Sequence, residues 1–200
     1  MRLEKRSCPR CVSWWPRVVD QAELVGLLRG GVDTKGGNWA DLGAGDGAFT
    51  MALADLLGPG AHITAVDRDE GALRRLAAEV GRRFPATQVE TLVADFRKTL
   101  PLAALDGVVM ANSLHFLLDK SSVLASVKAM LRPGGRLIVV EYGSDRGNPW
   151  VPHPFTYARW EQMAAEAGFE QTRQLGAVPS RYLGSMYSAV TFEPLSKTVD

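Results

Sequence analysis

Residues 38–48 read NWADLGAGDGA: a short apolar run, an acid (Asp41), then three glycines at alternate positions, Gly43, Gly45 and Gly47. A stretch of helical apolar character, residues 49–57, follows at once. Few local sequences restrict a fold more tightly. Glycine takes left-handed backbone angles without steric penalty, so this spacing lets a strand turn sharply into a helix. The missing side chains also leave backbone N–H groups bare at a helix start, where a small charged ligand can lie.

Downstream of this turn, strand-like and helix-like segments alternate. Strands are predicted into Asp41, over residues 62–66, 88–94, 105–111 and 136–142, and helices over 69–80 and 120–131. Leu73, Leu76, Ala77 and Val80 share one helical face, and Val108, Val109 and Met110 form a continuous run suited to a strand covered on both sides. Gly58-Pro59-Gly60, Gly81 and Pro133-Gly134-Gly135 punctuate the elements. Residues 17–29 read as a helix ahead of the alternation, with Val18, Ala22, Val25 and Leu28 on one face. Residues 143–154 read as a loop, 156–167 as a helix, and 169–178 and 182–192 as extended segments. Such alternation implies an α/β fold, a doubly wound and mostly parallel sheet joined by right-handed crossovers. Its ligand belongs at the carboxyl ends of the strands, near the point where strand order reverses. Asp41, Asp67, Asp95 and Asn112 all fall at such ends.

Composition narrows the function classes. Two hundred residues, 46% of them apolar and 22% charged, suit one globular domain, with residues 1–16 as an irregular N-terminal extension and 17–200 as the domain. A net charge of +1 gives no footprint for nucleic acid, so none is expected as a partner. No apolar run reaches membrane-spanning length and the start MRLEKRS lacks the core of a signal peptide, so a cytoplasmic location is expected. Cys8 and Cys11 form one C-x-x-C without a second pair, and His62, His115 and His153 are scattered; no metal site is expected.

Gly43, Gly45 and Ala48 satisfy the G-x-G-x-x-G/A dinucleotide fingerprint, with Asp67 where its ribose-binding acid belongs, so an NAD(P)-dependent reductase is one reading. The surrounding acids favour another. Three acids at successive strand ends suit a ligand with an amine, a ribose and an adenine but no pyrophosphate. This order of motifs resembles the class I S-adenosylmethionine-dependent methyltransferases over residues 17–193, and within them the quinone-methyltransferase-like branch that acts on small molecules.

The resemblance implies a seven-stranded, Rossmann-like sheet ending in an antiparallel C-terminal hairpin, with S-adenosyl-L-methionine as cofactor and S-adenosyl-L-homocysteine as product. It implies that the backbone of Gly43, Ala44, Gly45 and Gly47 faces the methionyl part and that Asp41 orders its amino group, directly or through water. Asp67, with Arg68 beside it, would accept from the ribose hydroxyls. Asp95 would accept from the adenine amine, with Phe96 as wall or donor, and Asn112 would open the loop nearest the methyl. A sulfonium methyl is already activated, so alignment and water exclusion suffice unless the nucleophile starts protonated. His115 and Tyr142 are then the candidate catalytic groups, although the apolar neighbours of His115 equally suit a packed core histidine. Asp69 is a better helix cap than Asp67, and Asp46 reads as a solvated turn residue. The acceptor expected is an apolar or aromatic small molecule, enclosed by the N-terminal helix and residues 143–157, where His153 lies. Asn112-Ser113-Leu114-His115 departs from the pattern of base-amine methylation. A non-catalytic domain that keeps the cofactor fold is the third reading.

Overall fold

A computed structural model describes residues 20–180 and 182–195. The expected extension over residues 1–16, with Cys8 and Cys11, lies outside the described residues. Asp20 precedes helix α1 (Gln21–Arg29), and its backbone N–H donates to the Glu23 carboxylate at 3.3 Å, the return bond of a capping box. Residues 17–19 of the expected helix lie outside the described residues. There follow β1 (Gly37–Leu42), α2 (Ala48–Leu57), β2 (Ala61–Asp67), α3 (Glu70–Arg83), β3 (Gln88–Val93), β4 (Leu105–Ala111), α4 (Ser121–Met130), β5 (Leu131–Tyr142), α5 (Tyr157–Glu166), β6 (Glu170–Pro179) and β7 (Ser185–Phe192). Asp69 caps α3 by accepting from the Ala72 N–H at 3.0 Å, as expected.

The seven strands run in the order β3-β2-β1-β4-β5-β7-β6. The first five are parallel, while β7 inserts antiparallel beside β5 and pairs antiparallel with the edge strand β6. The expected C-terminal hairpin is therefore present. Strand order reverses between β1 and β4, and both of their carboxyl ends open at that point.

Strand periodicity assigns side chains to two cores. Trp39, Val109, Ile138 and Val140 face one side, where they meet Leu24, Val25, Leu27 and Leu28 of α1 and Phe49, Leu53 and Leu57 of α2. Their strand neighbours Ala40, Leu42, Val108, Met110, Leu137 and Val139 face the other, against Leu124 and Val127 of α4 and Trp160 and Ala164 of α5. Helix α1 packs mainly on α2 and also touches β6 and β7. Its apolar face belongs to the core, and the preceding residues of the expected cover lie outside the described residues.

One correction concerns residues 131–135. Pro133-Gly134-Gly135 reads as a helix stop followed by a loop, with the strand beginning at residue 136. Instead β5 begins at Leu131, opposite Leu105, and the register shifts before Gly107 meets Arg136. The glycines permit this irregular pairing: Gly134 has φ +71°, and a Cβ on Gly135 would stand 2.8 Å from the Arg132 carbonyl and 2.9 Å from that of Leu105.

Gly107 lies directly across from Trp39 in the β1–β4 pair, and a Cβ there would run into the indole, which is 1% exposed. Gly107→Ala is therefore expected to lose about 1–3 kcal/mol of stability through overpacking. In urea denaturation the midpoint should fall at unchanged slope; a wild-type midpoint would show that the indole can step aside.

Candidate functional site

The glycine turn is built as its spacing requires. Gly43, Gly45 and Gly47 have φ of +84°, +53° and +86°, a left-handed region that side chains disfavour. The Gly43 and Ala44 N–H groups both donate to the Val66 carbonyl, at 2.8 and 3.0 Å, extending the β1–β2 pairing into the turn. The three glycines do different work. Gly47 backs onto α3, where a Cβ would stand 2.5 Å from Leu76 Cγ, so its bareness serves packing. Gly43 faces the opening: a Cβ there would stand 2.7 Å from Ser113 Cβ and 3.4 Å from the Phe96 ring. Gly45 has open space.

A cleft at the strand ends is lined by Gly43, Asp67, Arg68, Phe96, Asn112, Ser113 and Phe116. Five of these are sequence-predicted site residues, drawn from the ends of β1, β2 and β4 and from the segment after β3. Asp67 ties the cleft together: one carboxylate oxygen accepts from the Gly45 N–H and the other from the Asp69 N–H, each at 2.9 Å. Asn112 has φ +51° and its N–H donates to the Val140 carbonyl at 2.8 Å. Asn112 Oδ1 and Ser113 Oγ are buried without a hydrogen-bond partner among the described residues, and both residues line the cleft. Unpaired buried polar atoms are costly, so two of them at one cleft point to a polar ligand that completes their bonding.

Two expected site acids, Asp41 and Asp95, stand elsewhere. Asp41 is 1% exposed and points toward α2, accepting from Thr50 Oγ1 at 2.6 Å. Period-two alternation turns it away from the cleft, so the direct contact with an amino group is not offered. Asp95 follows β3 and is not among the residues lining this cleft; the Arg97 guanidinium holds both its oxygens, Nε lying 2.9 and 3.0 Å from them. That hydrogen-bonded cation pulls the Asp95 carboxyl down to about 2. Asp46 sits exposed at the turn and pairs with Arg75 at 2.7 Å.

His115 and Tyr142 do come together. The turn after β4 forms a single 3-10 turn, Leu114–Phe116, which places the imidazole edge-on to the Tyr142 ring at 5.2 Å between centroids. Both are buried, His115 at 2% exposure. The Phe116 ring, 61% exposed and part of the cleft lining, lies 4.2 Å from the imidazole. His115 Nδ1 stands 2.8 Å from Glu141 Oε2, and the Glu141 Oε1 accepts from the N–H groups of Ser113, Leu114 and His115 at 3.0, 2.8 and 3.2 Å. Sequence reasoning missed Glu141; the available signal was a lone charge inside the apolar run of β5. Residues 143–157 reach this place too, since the His153 N–H donates to the His115 carbonyl at 3.0 Å. Lys120, equally unforeseen, donates to the Leu117 carbonyl at 2.7 Å and lies 5.0 Å over the Phe155 ring, joining the two segments. Among the described residues no group of three or more His, Cys, Asp or Glu is placed to hold a metal ion.

Residues 40–137 match a family described as the methyltransferase domain. The chain is 34% identical over 157 residues to an O-methyltransferase of Penicillium expansum, covering 74% of this chain and 56% of that protein. It is 31% identical over 110 residues to the ubiquinone/menaquinone biosynthesis C-methyltransferase of Pasteurella multocida, covering 54% and 41%. The chain thus spans about half the length of such curated relatives. Its fold resembles that of a Burkholderia thailandensis 1,6-didemethyltoxoflavin-N1-methyltransferase solved with 1,6-didemethyltoxoflavin and S-adenosylhomocysteine. The TM-score is 0.68 at 20% identity, over 87% of this chain and 78% of that one.

Burial lifts the Asp41 carboxyl to about 6, against a smaller downward pull from the Thr50 hydroxyl, with the charge of Asp67 adding to the rise. A carboxyl raised on folding contributes stability that is full below its ordinary value of 3.8 and is lost as pH rises through about 6. Asp41→Asn stays neutral and keeps an acceptor for Thr50. Its stability relative to wild type is expected to improve between pH 4 and 7, by no more than about 3 kcal/mol. Denaturation at both pH values checks this; a pH-independent difference would mean that Asp41 titrates normally.

Proposed function

From the match of residues 40–137 to the methyltransferase domain family, we propose that this chain transfers a methyl group from S-adenosyl-L-methionine to a small-molecule acceptor, as its resemblance to class I methyltransferases implies. The observation that carries this reading is the cleft at the β1–β4 reversal. There a bare Gly43, an acid at the end of β2 and two unpartnered buried acceptors converge. The residues fit the cofactor. Gly43 and Gly45 leave backbone open to its methionyl part, Asp67 retains acceptor capacity for ribose hydroxyls, and Phe96 is an apolar wall for the adenine. Asn112 Oδ1 and Ser113 Oγ suit the ammonium. When bound, the cofactor supplies a methyl on a sulfonium, already activated toward a nucleophile. This chain's own residues then have three tasks: to align the acceptor, to exclude water and to receive any proton it releases.

Residues 143–157 are the best-placed cover, since Val151 and Phe155 anchor them in the two cores while Trp150 stays 69% exposed. The exposed Phe116, Trp150 and Tyr182 favour an apolar or aromatic acceptor. An acceptor of that kind implies no nucleic-acid partner and is available in the cytoplasm. No helix among the described residues is long and apolar enough to cross a membrane. The sheet also argues against the reductase reading, because β7 stands antiparallel between β5 and β6, whereas the dinucleotide fold runs 3-2-1-4-5-6.

S-adenosylhomocysteine at a hundred times its dissociation constant is expected to stabilise the folded protein by about 2.7 kcal/mol, visible as a raised melting temperature. NADH should leave it unchanged, and stabilisation by NADH alone would reverse the assignment. Binding without turnover of any metabolite in a cell extract would favour the non-catalytic reading.

Asp67→Ala is expected to weaken S-adenosylhomocysteine by roughly 2–4 kcal/mol in calorimetry, through loss of charge-assisted hydrogen bonds. The ligand-free protein should lose about 1 kcal/mol, because the Gly45 and Asp69 N–H groups lose their acceptor. Normal affinity in this variant would make the acid purely structural.

A further inference from the structure

We propose that Glu141 is the positioning residue of the acceptor side of the site. It fixes His115 in the tautomer protonated on Nδ1, so that Nε2 is the base receiving the proton of an acceptor hydroxyl. The proposal rests on the methyl-transfer reading and adds to it the chemical class of the acceptor, an aromatic hydroxyl.

Glu141 is 0% exposed at the end of a strand whose other central residues are apolar, an expensive place for a carboxylate that only packs. Its Oε1 takes three consecutive backbone N–H donors from the turn after β4. That fan fixes the turn carrying Asn112 and Ser113 at the cleft and holds the imidazole against the other oxygen. With three N–H donors already on Oε1, Glu141 is placed as an acceptor, and in that role its Oε2, 2.8 Å from His115 Nδ1, calls for the proton on Nδ1. Nε2 then carries a lone pair, and no hydrogen bond reaches it among the described residues.

The surroundings select the acceptor. The imidazole lies under Phe116 and edge-on to Tyr142, whose ring is in turn 6.5 Å from that of Tyr182, so the walls are aromatic. Phe116 both packs on the imidazole and lines the cleft, and so connects the two. A planar acceptor that displaces this exposed ring brings a hydroxyl to Nε2. The O–H bond breaks with its proton on Nε2, and the freed pair forms the O–CH3 bond. The methyl's former bond leaves its electron pair on the donor sulfur, and His115 returns the proton to solvent. The imidazolium so formed lies against the Glu141 carboxylate. Lys120 on one side, with Tyr142, Tyr187 and the backbone of His153, completes the polar groups around the pair.

Two readouts test this. The first is the nitrogen NMR spectrum of histidine-labelled protein above the imidazole titration, with the His115 signals identified by their loss in His115→Gln. The expected pattern is a protonated Nδ1 and an unprotonated Nε2, reversed in Glu141→Gln, whose amide donates to Nδ1. The opposite tautomer in wild type would overturn the proposal without any activity measurement. The second is methyl transfer from S-adenosylmethionine to catechol and 1,4-dihydroxynaphthalene, with aniline and thiophenol as nitrogen and sulfur controls. Product methylated on oxygen is expected, with kcat at least about a hundredfold lower in Glu141→Gln while S-adenosylhomocysteine affinity stays within about threefold. The rate should rise with pH through the imidazole titration in wild type and lose that limb in His115→Gln. Transfer only to nitrogen or sulfur, none to either phenol, or an unchanged pH profile in both variants would overturn it. If wild type fails to bind S-adenosylhomocysteine, the methyl-transfer reading fails instead, and the tautomer measurement still decides the geometry.

Discussion

The arrangement depends on β1 pairing in parallel with β2 on one side and β4 on the other. Those neighbours lead the chain outward in opposite directions, so their following loops part and leave the carboxyl end of β1 uncovered. A turn occupying that gap must leave the strand, clear both neighbours and start a helix within a few residues. Left-handed backbone at Gly43, Gly45 and Gly47 meets that demand, and the Val66 carbonyl anchors the turn by taking two of its N–H groups. The cleft is a consequence of topology before it is a consequence of chemistry.

Two buried carboxylates then divide the site. Asp41 and Glu141 occupy opposite faces of the sheet, each near the end of its strand. Asp41 has one strong donor, the Thr50 hydroxyl, and burial dominates its titration. Glu141 accepts from three backbone N–H groups, meets His115 Nδ1 with its other oxygen, and organises the turn between β4 and α4. The first ties β1 to α2, and the second spends its charge on holding a neighbour in place.

Much of this was legible in the sequence because it rests on local rules. Period-two and helical apolar spacing place every parallel strand and the helices that cover them, and glycine spacing marks the turn. What was not legible depends on partners distant in sequence. Asp41 and Asp95 share the strand-end position of Asp67, yet only Asp67 lines the cleft; Thr50 and Arg97 hold the others, and nothing at the acids themselves announces this. Glu141 sits in a run that reads simply as a buried strand, and its meaning appears only when residues 113–115 fold onto it. Pro133-Gly134-Gly135 reads as a break, because local propensity carries no knowledge that Leu105 waits across the sheet for Leu131. The apolar stripe of helix α1 is legible in the sequence, but not that α2 is its main partner.

The central claim is that the cleft at the β1–β4 reversal is the cofactor site. Backbone amide hydrogen exchange with and without S-adenosylhomocysteine tests it most directly, because it locates the ligand without needing an acceptor or a variant. Protection is expected to rise at residues 43–47, 67–69 and 112–116 and to stay unchanged around His62 and Glu90, at the opposite end of the strands. Protection confined to that opposite end, or no protection at the glycine turn under saturating ligand, would contradict the account.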